Sequence, residues 1–132
     1  MKKRVIAVVS LGIFLSPYIF ADFEYSCINE DGDTMSFMTT SLFGPNLPGF
    51  SYQDGQGLQL SYQGSRQLEP IKDAENWHVS GLIFNHPLAA RFVASFPIVH
   101  ENIDDVLATI KFKDRRGATI KTRSFLCQFS WQ

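Results

Sequence analysis

The chain reads as an all-β protein, a single antiparallel β-sandwich or small β-barrel of about seven to eight strands, and three observations carry that reading. Short runs of apolar residues alternate with polar ones and are separated by Gly and Pro, which is the period of strands. Three of the separating turns share one form, a triplet ending in glycine: Glu30-Asp31-Gly32, Gly55-Gln56-Gly57 and Arg115-Arg116-Gly117. The only two cysteines, Cys27 and Cys127, occupy matching aromatic settings, Phe23-x-Tyr25-x-Cys27 and Phe125-x-Cys127-x-Phe129-x-Trp131. Each sulfur therefore falls on the aromatic face of a strand. A Cys27–Cys127 bond would clamp the first strand to the last and close a loop of about 100 residues, a constraint of roughly 4 to 5 kcal/mol by chain entropy.

Residues 1–21 have the layout of a secretory signal. Lys2, Lys3 and Arg4 form a basic start, Val5 to Leu15 is largely apolar, and Pro17 precedes a cleavage point expected after Ala21. Ile19 is larger than that site prefers, so an uncleaved N-terminal anchor stays open as the one route to a membrane. Removal of the leader takes three of the 12 basic residues and none of the 13 acidic ones, leaving a formal charge of −4. Residues 22–132 then make one domain, expected to be periplasmic or secreted, where a disulfide persists.

Phe23 to Cys27 and Met35 to Phe37 form a hairpin. A two-residue Asp31-Gly32 turn would set Phe37 opposite Ser26 and mix the faces. A three-residue loop with Gly32 in the left-handed region sets Tyr25 opposite Phe37 and Cys27 opposite Met35, and is preferred. The same arithmetic joins Phe50 and Tyr52 to Leu58, Leu60 and Tyr62, and joins Val106, Ala108, Ile110 and Phe112 to Ala118 and Ile120. Leu42 to Pro48 and Gly64 to Asn76 read as connections, the second containing Pro70.

Trp77 to Phe84 carries apolar residues in both parities, which predicts a strand buried on both faces, at least in its second half. Leu88 to Phe96 alternates as a strand, with one short helix as the alternative because Leu88, Phe92 and Phe96 also stand at helical spacing. Pro97 marks a strand end or sheet edge. In the last strand the apolar parity changes between Ile120 and Phe125, which asks for a bulge near Thr122 to Ser124 or a change of environment.

Few residues announce chemistry. His78, His86 and His100 lack close metal-ligand spacing, and Asn29 to Asp33 follows the calcium-loop pattern only in part, with glycine at the fourth place and Thr40 where the closing glutamate belongs. No phosphate loop, dinucleotide fingerprint or nucleophile elbow occurs, and Glu101, Asp104 and Asp105 fall in an apparent connection. No cofactor is implied. Phe50, Tyr52, Tyr62, Trp77 and Trp131 form the one set of rings that would serve as a carbohydrate platform, if they are not core.

Charge is the uneven feature. Lys111, Lys113, Arg115, Arg116, Lys121 and Arg123, six of the nine basic residues after the leader, fall in 13 residues with one acid, Asp114. In the expected register Lys111 faces Lys121 and Thr109 faces Arg123, so one solvent-facing strip collects the cations. Its simplest use is to keep a β-edge from aggregating; its functional use is to contact an acidic protein or an anionic envelope polymer. Nucleic acid is a poor fit to an exported chain of net negative charge. The function expected is a small non-catalytic binding module, an inhibitor or immunity-like protein acting on a protein partner. A structural, adhesive or carbohydrate-binding envelope component is the alternative, and a small hydrolase the outside one.

Overall fold

The computed structural model describes residues 21–40, 47–63 and 68–131. The leader expected at 1–21 lies outside them except for Ala21, which opens the first strand. Among the described residues nine strands form one antiparallel sheet: β1 Ala21–Ile28, β2 Thr34–Thr40, β3 Leu47–Gln53, β4 Gln59–Gln63, β5 Leu68–Lys72, β6 Asn76–Leu82, β7 Arg91–Pro97, β8 Ile103–Lys113 and β9 Thr119–Trp131. Their spatial order is β4-β3-β2-β1-β9-β8-β7-β6-β5, and the sheet curls into a nearly closed barrel. Among the described residues there is no helix, and Arg91–Pro97 is a strand ending at Pro97.

The first two hairpins have the register that the side-chain pattern demands, while the third keeps the expected turn but shifts register beyond it. Tyr25 pairs with Phe37 and Cys27 with Met35, Phe50 with Tyr62 and Tyr52 with Leu60. Each loop closes through two backbone bonds across its triplet, as in Asn29 N–H to Asp33 carbonyl and Gly32 N–H to Asn29 carbonyl. The terminal glycines Gly32, Gly57 and Gly117 sit at φ of +82°, +94° and +87°, a region that side chains with Cβ enter only under strain.

β1 and β9 meet in the middle of the sheet, with Cys27 directly opposite Cys127 and the two joined by a disulfide across 100 residues, Cα to Cα 3.9 Å. The bond points inward, where Tyr25, Phe37, Phe50, Tyr52, Phe92, Phe96, Phe112 and Phe125 fill the barrel. Tyr25 packs on Phe96 at 5.0 Å and Phe37 stacks on it at 5.2 Å, so β1 and β2 reach β7 through rings across the interior. The buried Tyr25 hydroxyl donates to the Pro97 carbonyl, which satisfies it.

Several expectations need correction. A ninth strand, β5, lies within the presumed polar connection; its Pro70 is tolerated because β5 is a sheet edge, where a missing N–H breaks no second ladder. Leu47 and Pro48 belong to β3, while 41–46 lie outside the described residues. The run Trp77 to Phe84, β6 and the two residues after it, is buried on one face only: Val79 and Ile83 point in, whereas Leu82 and Phe84 face solvent. The bulge of the last hairpin lies earlier than Thr122. Lys113 pairs with Thr119 but Phe112 with Lys121, so one extra residue, Ile120, is accommodated there and every later side chain changes face.

Eight antiparallel steps separate the edges β4 and β5, so these edges run in the same direction and no further antiparallel ladder can join them. Side chains bridge the gap instead. Phe50 of β3 stacks on Phe92 of β7 at 4.7 Å, Tyr62 of β4 packs on Phe92 at 5.9 Å, and the Tyr62 hydroxyl donates to the Leu82 carbonyl. Replacing both cysteines with Ser is expected to lower unfolding free energy by about 3 to 5 kcal/mol in urea titrations. A loss below about 1 kcal/mol would show that β1 and β9 hold together without the clamp.

Candidate functional site

Strand direction assigns the loops to two ends. The β1–β2, β3–β4, β6–β7 and β8–β9 connections lie at one, here the hairpin end; Ala21, Asn102 and Trp131 lie at the other, the terminal end.

The bulge at Ile120 reshapes the cationic cluster at the hairpin end. Lys111 faces Thr122 rather than Lys121, and Thr109 faces Ser124 rather than Arg123. Lys121 and Arg123, opposite the buried Phe112 and Ile110, turn to the inner side. There Arg123 forms an ion pair with Asp33 and reaches Asp31 at 3.4 Å, the Arg123 and Asp33 side chains being only 16% and 2% exposed. Asp33 also accepts from Gly55 N–H at 3.1 Å and from Asn29 Nδ2 at 3.1 Å, and Lys121 Nζ donates to Gln56 Oε1 at 2.7 Å. Asp54 accepts from the Gln56 and Leu58 N–H groups and from the Tyr52 hydroxyl at 2.9 Å. Burial pushes the Asp54 carboxyl up, but these hydrogen bonds and the Lys121 charge outweigh it and hold the group below its usual value. The network ties three hairpin ends together. Its role is to seal the barrel, and two of the six cations expected to meet a partner are spent inside it.

Lys111, Lys113, Arg115 and Arg116 remain outside, Lys113 paired across the strands with Arg91 of β7. Arg91 was missed in the sequence because it stands 20 residues before the cluster. Its Nη2 lies 3.9 Å from Glu69, a solvent-screened pair.

Beside these cations the segment 83–90 projects between β6 and β7. Ile83 and Ala89 are buried and anchor it, Ile83 N–H bonds to the Ala90 carbonyl, and Ala90 N–H bonds to the Lys113 carbonyl at 2.8 Å. His86 Nδ1 accepts from both Leu88 N–H at 3.1 Å and Ala89 N–H at 2.9 Å, so the imidazole braces the turn from within, while Asn85 takes a φ of +61°. On this braced loop and its stem Leu82, Phe84 and Leu88 are 52%, 62% and 69% exposed. The signal of Leu82 and Phe84 was the mixed parity of Trp77 to Phe84, which the sequence alone assigns to burial; Leu88 opens the run Leu88 to Phe96 read as a strand, which begins instead at Arg91.

At the terminal end, on the outer face, a groove of about 460 Å³ is lined by Glu24, Ser26, Asn102, Ile103, Asp104 and Gln128. Asp104 and Asp105 belong to β8 rather than to a connection; a bulge between Ile103 and Val106, with Asp105 at a φ of +64°, shapes the wall. Burial in the groove raises the Glu24 pKa. Next to it, Ile28, Leu126 and Leu107 stand directly opposite one another as an exposed apolar row across β1, β9 and β8.

The remaining candidates disperse. Phe50 and Tyr52 are core, Tyr62 and Trp77 pack against it, and Trp131 alone of the five rings is exposed, so they form no platform. His78 bridges Ser95 and Asp73, and His86 serves its own loop.

Two outcomes are expected. Arg123→Leu strips the cation from a buried carboxylate and should lower stability by about 3 to 5 kcal/mol, whereas Lys111→Gln should change it by less than about 0.5 kcal/mol. Equal effects in thermal melts would restore the bulge-free register. In a carboxyl-detected NMR titration Glu24 should titrate above the ordinary 4.5 and Asp54 below the ordinary 3.8. By linkage, the Asp54 contribution to stability is present above its unfolded value and lost as pH falls through the depressed one. That of Glu24 is present in acid and lost as pH rises through its raised value. The reverse order of the two carboxyls would contradict the buried setting of Glu24.

Comparison with protein-family models, with curated proteins and with solved structures finds no match to this chain.

Proposed function

We propose that this chain is a small exported, non-catalytic binding module, periplasmic or secreted, that acts on an acidic protein partner through the hairpin end of its barrel, as an inhibitor or immunity-like protein would. The observation that carries this reading is the braced 83–90 loop, which holds Phe84 and Leu88 out in solvent beside Arg91, Lys113, Arg115 and Arg116. Large apolar side chains held in water by an ordered backbone are unfavourable for the free domain and mark a contact surface. Each stabilises a complex by about 1.5 to 3 kcal/mol when fully covered. Because the loop is already ordered by His86 and its two buried anchors, little conformational entropy is lost on docking.

The cations have a different task. They attract a negatively charged partner over roughly a Debye length, 8 Å at physiological salt, and so act on the association rate more than on residence time. The barrel interior, filled by rings, leaves recognition to the surface. The disulfide is compatible with an oxidising compartment.

Partner capture from envelope extract, followed by binding kinetics on the captured protein, tests the reading. Phe84→Ser combined with Leu88→Ser should weaken binding at least about 100-fold, chiefly through faster dissociation, with an unchanged melting temperature. Lys111→Gln with Lys113→Gln should slow association at low salt and have little effect at high salt. Undiminished capture by the loop variant would remove the hairpin end as the contact, and saturable turnover of a substrate would overturn the non-catalytic reading.

A further inference from the structure

The 83–90 loop at one end of the barrel and the groove at the other carry opposite chemistry. At the hairpin end, a convex loop presents Phe84 and Leu88 beside the cations Arg91, Lys113, Arg115 and Arg116, with Glu69 and Asp114 on the same side; the other acids of this end, Glu30, Asp31, Asp33 and Asp54, belong to the β1–β2 and β3–β4 turns, where Asp31 and Asp33 face Arg123. At the terminal end a concave groove is edged by Ile103, bounded by Glu24 and Asp104, and neighboured by Glu101 and Asp105. None of these four carboxylates takes part in an ion pair among the described residues. The exposed row Ile28, Leu126 and Leu107 extends the apolar area beyond Ser26 and Gln128.

We infer that the terminal-end groove is a docking surface for the hairpin end of a second copy of this chain, so that the protein associates head to tail. The inference rests on the reading of the hairpin end as a contact surface and adds its competitor. Three features on the two surfaces match. A protruding apolar loop meets a recess with an apolar edge, a cluster of cations meets carboxylates without cationic partners, and the Ile28, Leu126 and Leu107 row gives the incoming Leu82 and Leu88 somewhere to lose water. Because the two surfaces lie at opposite ends of one barrel, the contact is heterologous. Each added copy leaves one loop and one groove open, and the assembly grows as a chain instead of stopping at a two-fold dimer. An acidic partner that takes the loop would then terminate such chains, which makes self-association and partner binding mutually exclusive at that end.

The test is sedimentation of the exported protein recovered from culture, over a concentration series and at two salt strengths. The expected result is a ladder of dimer, trimer and longer species that shortens as salt rises. A loop variant, Phe84→Ser with Leu88→Ser, and a groove variant, Glu24→Lys with Asp104→Lys, should each remain monomeric alone. Mixed in equal amounts they should form a dimer and nothing larger, because one supplies the only intact groove and the other the only intact loop. Where the groove variant fails to fold by its melt, Gln128→Trp blocks the recess without reversing charge and replaces it. A wild-type protein that stays monomeric at every concentration overturns the inference even if it captures a partner, in which case the proposed function stands. A ladder without any partner captured supports the inference and removes the proposed function. Assemblies that survive in both variants, or a mixture that does not dimerise, overturn head-to-tail docking.

Discussion

The pairing of β1 with β9 is the constraint on which the rest of the structure depends. It brings residues about 100 apart into adjacent strands, so the chain loses more loop-closure entropy there than at any hairpin, where the closing contacts are local. Without it the molecule is two meanders, β1 to β4 and β5 to β9, each presenting one row of inward aromatic side chains to water. With it, the two rows face each other and Phe37, Tyr25 and Phe96 share one interior. The disulfide at Cys27 and Cys127 reduces the freedom of the unfolded chain at the point where the fold asks most of it.

A second consequence follows from the odd number of strands. Pairing β1 with β9 in the middle leaves β4 and β5 as parallel edges, and a row of antiparallel ladder bonds cannot close the barrel between them. The closure is made by Phe50, Tyr62 and Phe92 and by the hydroxyl of Tyr62 on the backbone of β6. The same geometry sets the emerging β6–β7 connection next to the β8–β9 turn, through the bond from Ala90 to Lys113. Apolar and cationic side chains thereby share one end of the molecule, and the carboxylates of β1 and β8 are left at the other. The proposed contacts at both ends are products of how the barrel closes.

Much of this was legible along the chain. Local periodicity and turn chemistry specify the first two hairpins and the turn of the third, because a three-residue loop ending in a left-handed glycine admits one register that keeps Tyr25, Cys27, Met35 and Phe37 together. The pairing of the cysteines needs only two residues and a matching parity. What escaped are features whose signal is ambiguous in one dimension. An apolar residue on the second face of a strand reads as doubly buried, so Leu82 and Phe84 were assigned to the interior when they face solvent. A proline in a polar run reads as a loop, so β5 was overlooked.

The amino-acid sequence by itself therefore determined an all-β domain, its three glycine-closed hairpins and the two residues of its clamp, since each rests on neighbours within a few positions or on the chemistry of a single pair. The tertiary structure alone decided which way the charged side chains point. One extra residue at Ile120 reverses the faces of everything after it, taking Lys121 and Arg123 from an expected outer strip to the inner seal with Asp33. A bulge of this kind depends on how β9 must bend to follow the curved sheet while Phe125, Cys127 and Phe129 stay inside. That requirement comes from partners far away in sequence and is invisible to local pattern.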